Sequence, residues 1–344
     1  MPLRRRVFVA GLVTLAASAC TGSDADPPAS ASSRTAAPES TTSKPSASPS
    51  LPPVNNPVSI PALIARKHTG SDLTFGKVLA RNSAYTRYAI TYRANGLRIS
   101  GVLNLPRGDG PFPALVLAHG YADVDTYVSG RGTLDREHDL LARNGYVVLH
   151  TDYRNHAGSD DDPDNDMSLR LGYTEDVIGA VKALRASDRP EIDGDRIGLL
   201  GRSMGGGVVY NTLVAAPGLV DAAVAYAPVS GRPAENIDQF QRREGDPLVK
   251  RIDAKYGTPK TNPRFWREAS PLTYADRVKD PLLIQHGTRD TSCPIRWSRE
   301  ATSVFKKAGK DVRLREYEGE AHVFGPRWRQ SIDRTMAFFE DHLR

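Results

Sequence analysis

"RIGLLGRSMGGGVVYNT", residues Arg196 to Thr212, decides the fold. A run of apolar, strand-like residues ends in Gly201-Arg202-Ser203-Met204-Gly205, and an apolar helical pattern starts directly behind it. A plain turn needs one glycine, whereas Ser203 has one two positions before it and one two positions after it. Between a strand and a helix, that spacing is the context of a nucleophile elbow. The turn is so tight that side chains at 201 and 205 would strike neighbouring backbone. It exposes the Ser203 hydroxyl beside the free amides of the helix N-terminus. Two competing readings are a strand–helix turn with a capping serine and a nucleotide loop. Against the second, no Lys-Ser/Thr pair follows, and Gly205-Gly206-Gly207 lacks the dinucleotide spacing.

Outward from this turn, strand and helix patterns alternate. Upstream, "TRYAITYRANGLRISGVLNLP" reads as two strands joined around Asn95-Gly96, a strong hairpin signal. "PALVLAHG" and "GYVVLHTDYR" are short buried strands that flank a helical stretch around Leu134 to Asn144. Val177, Ile178, Val181 and Leu184 recur at helical spacing. Downstream, "DAAVAYAP", "DPLLIQHG" and "DVRLREYEG" are further strands, and a helix closes the chain. Such alternation implies crossover connections: an α/β fold with a mostly parallel, doubly wound sheet of about eight strands and an antiparallel N-terminal edge.

A serine hydroxyl needs a base to take its proton and a carboxylate to orient that base. His322 in "YEGEAHVFG" follows the last strand, and Asp290 in "LLIQHGTRDTSCP" follows the strand before it. Both lie where loops converge at the C-terminal ends of strands. His119 and His150 precede the serine and His286 sits beside Gly287, so these three read as structural. His68, His138, His156 and His342 carry no partner signal. Asp276 and Asp280 precede their strand and belong at the opposite end of the sheet. Oxyanion donors are expected from the backbone N–H of Met204 and from the loop after "ALVLAHGY", with Tyr121 N–H the best placed. The Tyr121 hydroxyl, or a covering role for its ring, stays open.

Composition limits the partners. The 344 residues are 39% hydrophobic and 25% charged, ordinary for a globular protein. Arg4, Arg5 and Arg6 fall in a leader whose loss takes the net charge from +6 to about +3. No basic stripe with interleaved aromatics appears, so nucleic-acid binding is not expected. "MPLRRR", "VFVAGLVTLAA" and "ASAC" read as the charged, apolar and cleavage regions of a signal peptide over residues 1–19. "ASAC" resembles the lipobox of bacterial lipoproteins, with Ala17 where leucine is usual. That resemblance implies acylation of Cys20 and membrane attachment, while "RRRVF" resembles a twin-arginine signal. Residues 20–57, rich in Ser, Thr, Ala and Pro, cannot bury enough apolar surface to order themselves and are expected to be a disordered tether. With Cys20 acylated, Cys293 has no disulfide partner and reads as a small buried hydrophobe.

From about Tyr88 onward the chain resembles an α/β-hydrolase, most closely the catalytic domain of the prolyl oligopeptidase (S9) group. "AHGY", "GYVVLHTDYR", "DRIGLLGRSMGGG", "WREASPLTYADRVKDPLLIQHGTRDTSCP" and "YEGEAHVF" carry the resemblance. It implies that Ser203, Asp290 and His322 form the triad. Cys293 stands where valine is usual, and only the tether and a hairpin precede the catalytic domain, where the large peptidases carry a propeller. Ester and short-peptide substrates therefore both stay open. A binding lipoprotein on an inactive hydrolase scaffold is the alternative, and would predict a damaged triad.

Two insertions remain. Residues 231–277 separate consecutive strands and contain helix-like "NIDQFQRREGDPLVKRIDAKYG", long enough to cap the pocket. The acidic loop "NHAGSDDDPDND" fails as a calcium loop, because counting from Asp162 its sixth residue is Met167 and its twelfth Tyr173. It is expected to be a solvated surface loop. No Cys/His ligand spacing appears, and no metal or cofactor is expected.

Overall fold

The computed structural model describes residues 51–132 and 134–343. The leader, Cys20 and all but the last seven residues of the expected tether lie outside them. The packed chain reaches back before Val58: Asn55 Nδ2 donates to Glu268 Oε1 at 2.9 Å, and Asn56 Oδ1 accepts the Val58 amide at 2.8 Å. No helix among the described residues is long and apolar enough to cross a membrane.

Nine strands form one sheet: β1 (Gly70–Arg81), β2 (Tyr85–Ala94), β3 (Leu97–Pro106), β4 (Phe112–Ala118), β5 (Val147–Thr151), β6 (Ile192–Arg202), β7 (Ala222–Tyr226), β8 (Leu282–Gly287) and β9 (Val312–Tyr317). Their order is β1-β2-β3-β5-β4-β6-β7-β8-β9. β1, β2 and β3 pair antiparallel, β3 joins β5 antiparallel, and β5 to β9 are parallel throughout. Asn95 and Gly96, at φ 48° and 90°, make the tight turn between β2 and β3. The ninth strand, β1, is the one that the sequence pattern does not announce. It is a largely exposed edge strand broken by register shifts, so no apolar alternation builds up along it.

Strand alternation in the parallel part feeds two apolar layers. From β4, Ala114, Val116 and Ala118 point into one and Leu115 and Leu117 into the other. The first layer is closed by α3 (Gly172–Arg185), α4 (Met204–Ala215) and α8 (Arg296–Lys307), together with the short α1 (Ile60–Ala65). The second is closed by α2 (Asp135–Arg143) and α9 (Trp328–His342). Covering both faces explains why the central strands read as continuous apolar runs. Between β7 and β8 the expected insertion folds as α5 (Pro233–Ile237), a π-helical turn, α6 (Pro247–Tyr256), α7 (Pro263–Glu268) and a 3₁₀ segment. Proline at the first or second helical position starts each of these three helices, and Asp246 and Asn262 accept amides at the starts of α6 and α7.

Candidate active site

Ser203 sits between β6 and α4 at φ 58° and ψ −120°, a region that a residue with a Cβ rarely occupies. The glycines around it explain how the chain reaches this conformation. A Cβ at Gly201 would strike the Gly205 carbonyl, and one at Gly205 would strike the Ala118 carbonyl and lie 2.6 Å from the His119 oxygen. Gly205 thus lets the start of α4 press against the end of β4, from which the loop carrying Tyr121 departs. The Ser203 N–H donates to the Tyr226 carbonyl at 3.0 Å, and the Ser203 carbonyl accepts from Val229 N–H at 3.1 Å, so both flanks of the turn are fixed.

Asp290 and His322 meet directly, with His322 Nδ1 2.7 Å from Asp290 Oδ2. The two loops can touch because Gly287 ends β8: a Cβ there would collide with the Glu320 carbonyl. Asp290 Oδ1 accepts the amides of Ser292 at 2.9 Å and Cys293 at 2.8 Å. Burial pushes the Asp290 carboxyl up, but hydrogen bonds from His286 and His322, with the Cys293 amide, outweigh it and hold the group well below the ordinary carboxylate range. The His322 loop is folded by Glu320, whose two carboxylate oxygens accept the Gly325 and Arg327 amides at 2.6 Å each.

Ser203 Oγ lies 3.9 Å from Cys293 Sγ and, among the described residues, makes no hydrogen bond to His322. Such contacts tighten when substrate binds. Burial, and then the Asp290 charge, push the Cys293 thiol well up, so it is a packing group rather than a nucleophile. Three other histidines face main-chain oxygens. His119 Nδ1 and Nε2 face the carbonyls of Gly120 (2.6 Å) and Asp152 (3.2 Å), and His138 and His156 likewise meet main-chain oxygens. Asp280 accepts the Gly218 and Val220 amides before β7, at the far end of the sheet from the loops.

A cavity of about 380 Å³ opens over Ser203. Its walls come from α4 (Met204, Val208), the capping insertion (Ile237, Phe240) and the segment before α3 (Leu169, Arg170). The volume suits a small-molecule substrate. Tyr121 is 62% exposed on its rim, and the Arg170 guanidinium stacks 5.0 Å over its ring. Leu169 and Arg170 both have positive φ, 52° and 58°. The acidic loop places Asp162 against Arg154 at 2.9 Å and Asp166 against Arg170 at 2.7 Å.

The strained serine turn, the Asp290–His322 pair and the capped cavity thus come together on one sheet. The family model described as the prolyl oligopeptidase family, peptidase S9, matches residues 133–344. The chain belongs to that family. As a prolyl oligopeptidase family member it is a hydrolase, with relatives named as peptidases and esterases. It is 27% identical to the Bacillus subtilis (strain 168) protein named "Uncharacterized peptidase YtmA", over 72% of this chain and 91% of that one. It is 27% identical to "Esterase EstD" of Thermotoga maritima, over 57% of this chain but only 50% of that one. The acetyl xylan esterase from Paenibacillus sp. R4 has a similar fold, with TM-score 0.62, 21% identity, and coverage of 83% of this chain and 92% of that one.

Two residues close to the site carry no signal in the sequence. Arg202, beside Ser203, is fully buried and reaches Glu137 of α2 at 2.7 Å. His286 Nε2 lies 3.1 Å from the same Asp290 oxygen that holds His322. A buried cation next to a glycine-rich turn reads as a surface charge, and a histidine before glycine reads as a turn residue.

Proposed function

We propose that this family member is a serine hydrolase that cleaves carboxylic esters or short peptide and amide bonds through an acyl-enzyme on Ser203. One observation carries the reading: Ser203 is held at φ 58° on the elbow while the loops after β8 and β9 join Asp290 to His322 at 2.7 Å. His322 Nε2 takes the Ser203 proton as Oγ bonds the substrate carbonyl carbon. The Met204 and Tyr121 amides then receive the oxyanion. The imidazolium, stabilised by Asp290, passes the proton to the departing alkoxide or amine as the scissile bond breaks. Water then attacks the acyl-enzyme, His322 takes its proton, and the acid leaves with Ser203 restored.

The name of EstD supports the ester arm and that of YtmA the peptide arm, and both share this chemistry. The test is labelling by a fluorophosphonate probe, with turnover of p-nitrophenyl acyl esters beside aminoacyl and prolyl anilides. Wild type is expected to label and to turn over one class, and Ser203→Ala to do neither while keeping its fold. Equal labelling of the variant would overturn the assignment. A wild type that neither labels nor turns over would favour a binding role on an inactive scaffold. We propose further, from the charged, apolar and lipobox-like segments of the leader, that the enzyme lies outside the cytoplasm, held to a membrane by acylated Cys20 and the Ser/Thr/Pro/Ala-rich segment behind it. Lasting attachment takes two or more acyl chains. A fatty-acid analogue should mark wild type and not Cys20→Ala.

A further inference from the structure

We propose that His286 is a positioning residue for the Asp290–His322 pair, sharing the Asp290 carboxylate oxygen with the base; this rests on the hydrolase reading. Two imidazoles converge on one oxygen, with Asp290 Oδ2 2.7 Å from His322 Nδ1 and 3.1 Å from His286 Nε2. The His286 ring cannot turn away. Its Nε2 also lies 2.7 Å from the Cys293 carbonyl, and its Nδ1 lies 2.6 Å from Ser298 Oγ on α8.

The neighbours settle which nitrogen donates. Both groups that face Nε2 are acceptors, a carbonyl and a carboxylate, so Nε2 carries the proton and its N–H is shared between them. Ser298 then satisfies Nδ1 with its hydroxyl. His286, Ser298 and the Asp290 side chain have essentially no solvent contact, so no water competes for these bonds. The other charges beside the ring are Glu316 of β9, the register partner of His286, and Arg299 of α8, which pair with each other at 2.6 Å. They neutralise one another, and Asp290 is left as the charge that His286 addresses.

This arrangement does two things for catalysis. It locks the loop 288–293, which carries Asp290 towards His322 and Cys293 towards Ser203, because one ring spans Asp290 and the Cys293 carbonyl. It also draws part of the carboxylate's charge away from His322. With fewer donors, Asp290 would hold the His322 imidazolium more tightly, and the base would stay protonated to higher pH. A residue that merely fills space would alter the amount of active enzyme and leave the position of the acid limb alone.

The experiment compares His286→Gln, His286→Leu and Ser298→Ala with wild type, with active sites counted by fluorophosphonate. Activity is read as kcat/KM against pH on one activated ester, and the low-field proton resonance of His322 Nδ1–H is recorded on the same samples. Glutamine can present an amide N–H near the position of Nε2. We expect His286→Leu to lose about tenfold or more in kcat per labelled site, the order seen when hydrogen-bonded support is removed from a working ligand. We expect its acid limb to move up by about half a pH unit, roughly threefold in the protonation constant. His286→Gln should return both towards wild type, and Ser298→Ala should move the limb the same way by less. An unmoved limb with an unmoved resonance in both His286→Leu and Ser298→Ala would overturn the proposal. If His286→Leu does not fold, Ser298→Ala and His286→Gln carry the same decision. A wild type that neither labels nor turns over would strike the hydrolase reading instead, and the resonance of His322 would then decide the role of His286 by itself.

Discussion

Arg202 Nη2 lies 2.7 Å from Glu137 Oε1, and both side chains are buried, with Arg202 next to Ser203 in the chain. The same guanidinium reaches the His322 carbonyl at 3.4 Å and stacks 4.9 Å over the Tyr226 ring. Trp328 Nε1 donates to the same Glu137 oxygen at 2.8 Å. One ion pair thus ties the elbow, α2, the His322 loop and α9 together.

Breaking this pair from one side leaves a charge buried without a partner, which costs about 3–5 kcal/mol. Glu137→Ala should therefore lower the urea midpoint sharply. It should also reduce turnover, because Arg202, which holds the His322 carbonyl, loses the partner that fixes its position. The double variant Glu137→Leu/Arg202→Met should recover most of the stability and little of the turnover. Denaturant titration and a single-substrate assay on the three proteins check this, and a stable Glu137→Ala would refute it.

Ser203 at φ 58° stores backbone strain of about 1–3 kcal/mol, a magnitude usual for a non-glycine residue held outside its favoured regions. Ser203→Ala removes the hydroxyl and keeps the strain. Ser203→Gly removes both. Both variants should be inactive, yet Ser203→Gly should unfold at higher denaturant than Ser203→Ala, by about 1 kcal/mol after glycine's greater freedom in the unfolded chain is set against it. Equal midpoints would mean that the elbow is unstrained.

The turn around Ser203 could be read from sequence because its glycines record sterics that depend on a few neighbouring residues. The positions of Asp290 and His322 followed from strand ends, which an α/β sheet directs to one side. What escaped the sequence depends on approach between distant segments. β1 is exposed and bulged, so burial imposes no pattern on it. Glu137 is a charge on a helix that packs against β3 and β5, and its burial depends on Arg202 reaching it from the end of β6. His286 could be placed at a strand end, but its contact with Asp290 depends on a loop that turns back on it. The histidines at 138, 150 and 119 come from three segments and stack at 5.6 Å centroid spacing in the core, which no local pattern records.

That stack sets the acid stability. Burial lowers His119 to about 4 and His138 to about 3, and drives His150 down as well; the charge of Arg87 adds to the effect at His138. An unfolded histidine titrates near ~6.5, so below that pH the unfolded chain takes up protons that the folded chain refuses. Stability is therefore complete above about pH 7 and is lost as pH falls, by ~1.4 kcal/mol per pH unit for each refusing histidine. Asp290 has the opposite origin but the same sign: its stabilisation is complete above about pH 4 and is lost below it. Urea midpoints should thus decline between pH 6.5 and 4.5 in wild type and in Asp290→Asn alike, and the two should converge below pH 4. A flat wild-type profile from pH 7 to 5 would contradict the charge states assigned to the stack.

The cavity over Ser203 predicts how the enzyme should measure its acyl group. About 380 Å³ lined by Met204, Val208, Ile237 and Phe240 offers apolar wall to a chain bonded at Oγ. Each methylene taken from water into such a wall contributes about 0.8 kcal/mol, close to a fourfold gain if all of it is expressed in the transition state. Along p-nitrophenyl esters from acetate upward, kcat/KM should rise by up to that factor per methylene until the cavity is full, then level off. Val208 is buried on α4, one helical turn from Met204, and lines the cavity, so enlarging it fills the cavity from the α4 side. Val208→Phe should bring the levelling point to a shorter chain while the acetate ester keeps most of its rate, since the reacting carbonyl stays at Ser203. Phe240→Ala, on the cap side, should move it to a longer chain. A series with no dependence on chain length, or one whose break is indifferent to both variants, would show that the acyl group lies outside this cavity and that the cap admits the leaving group instead.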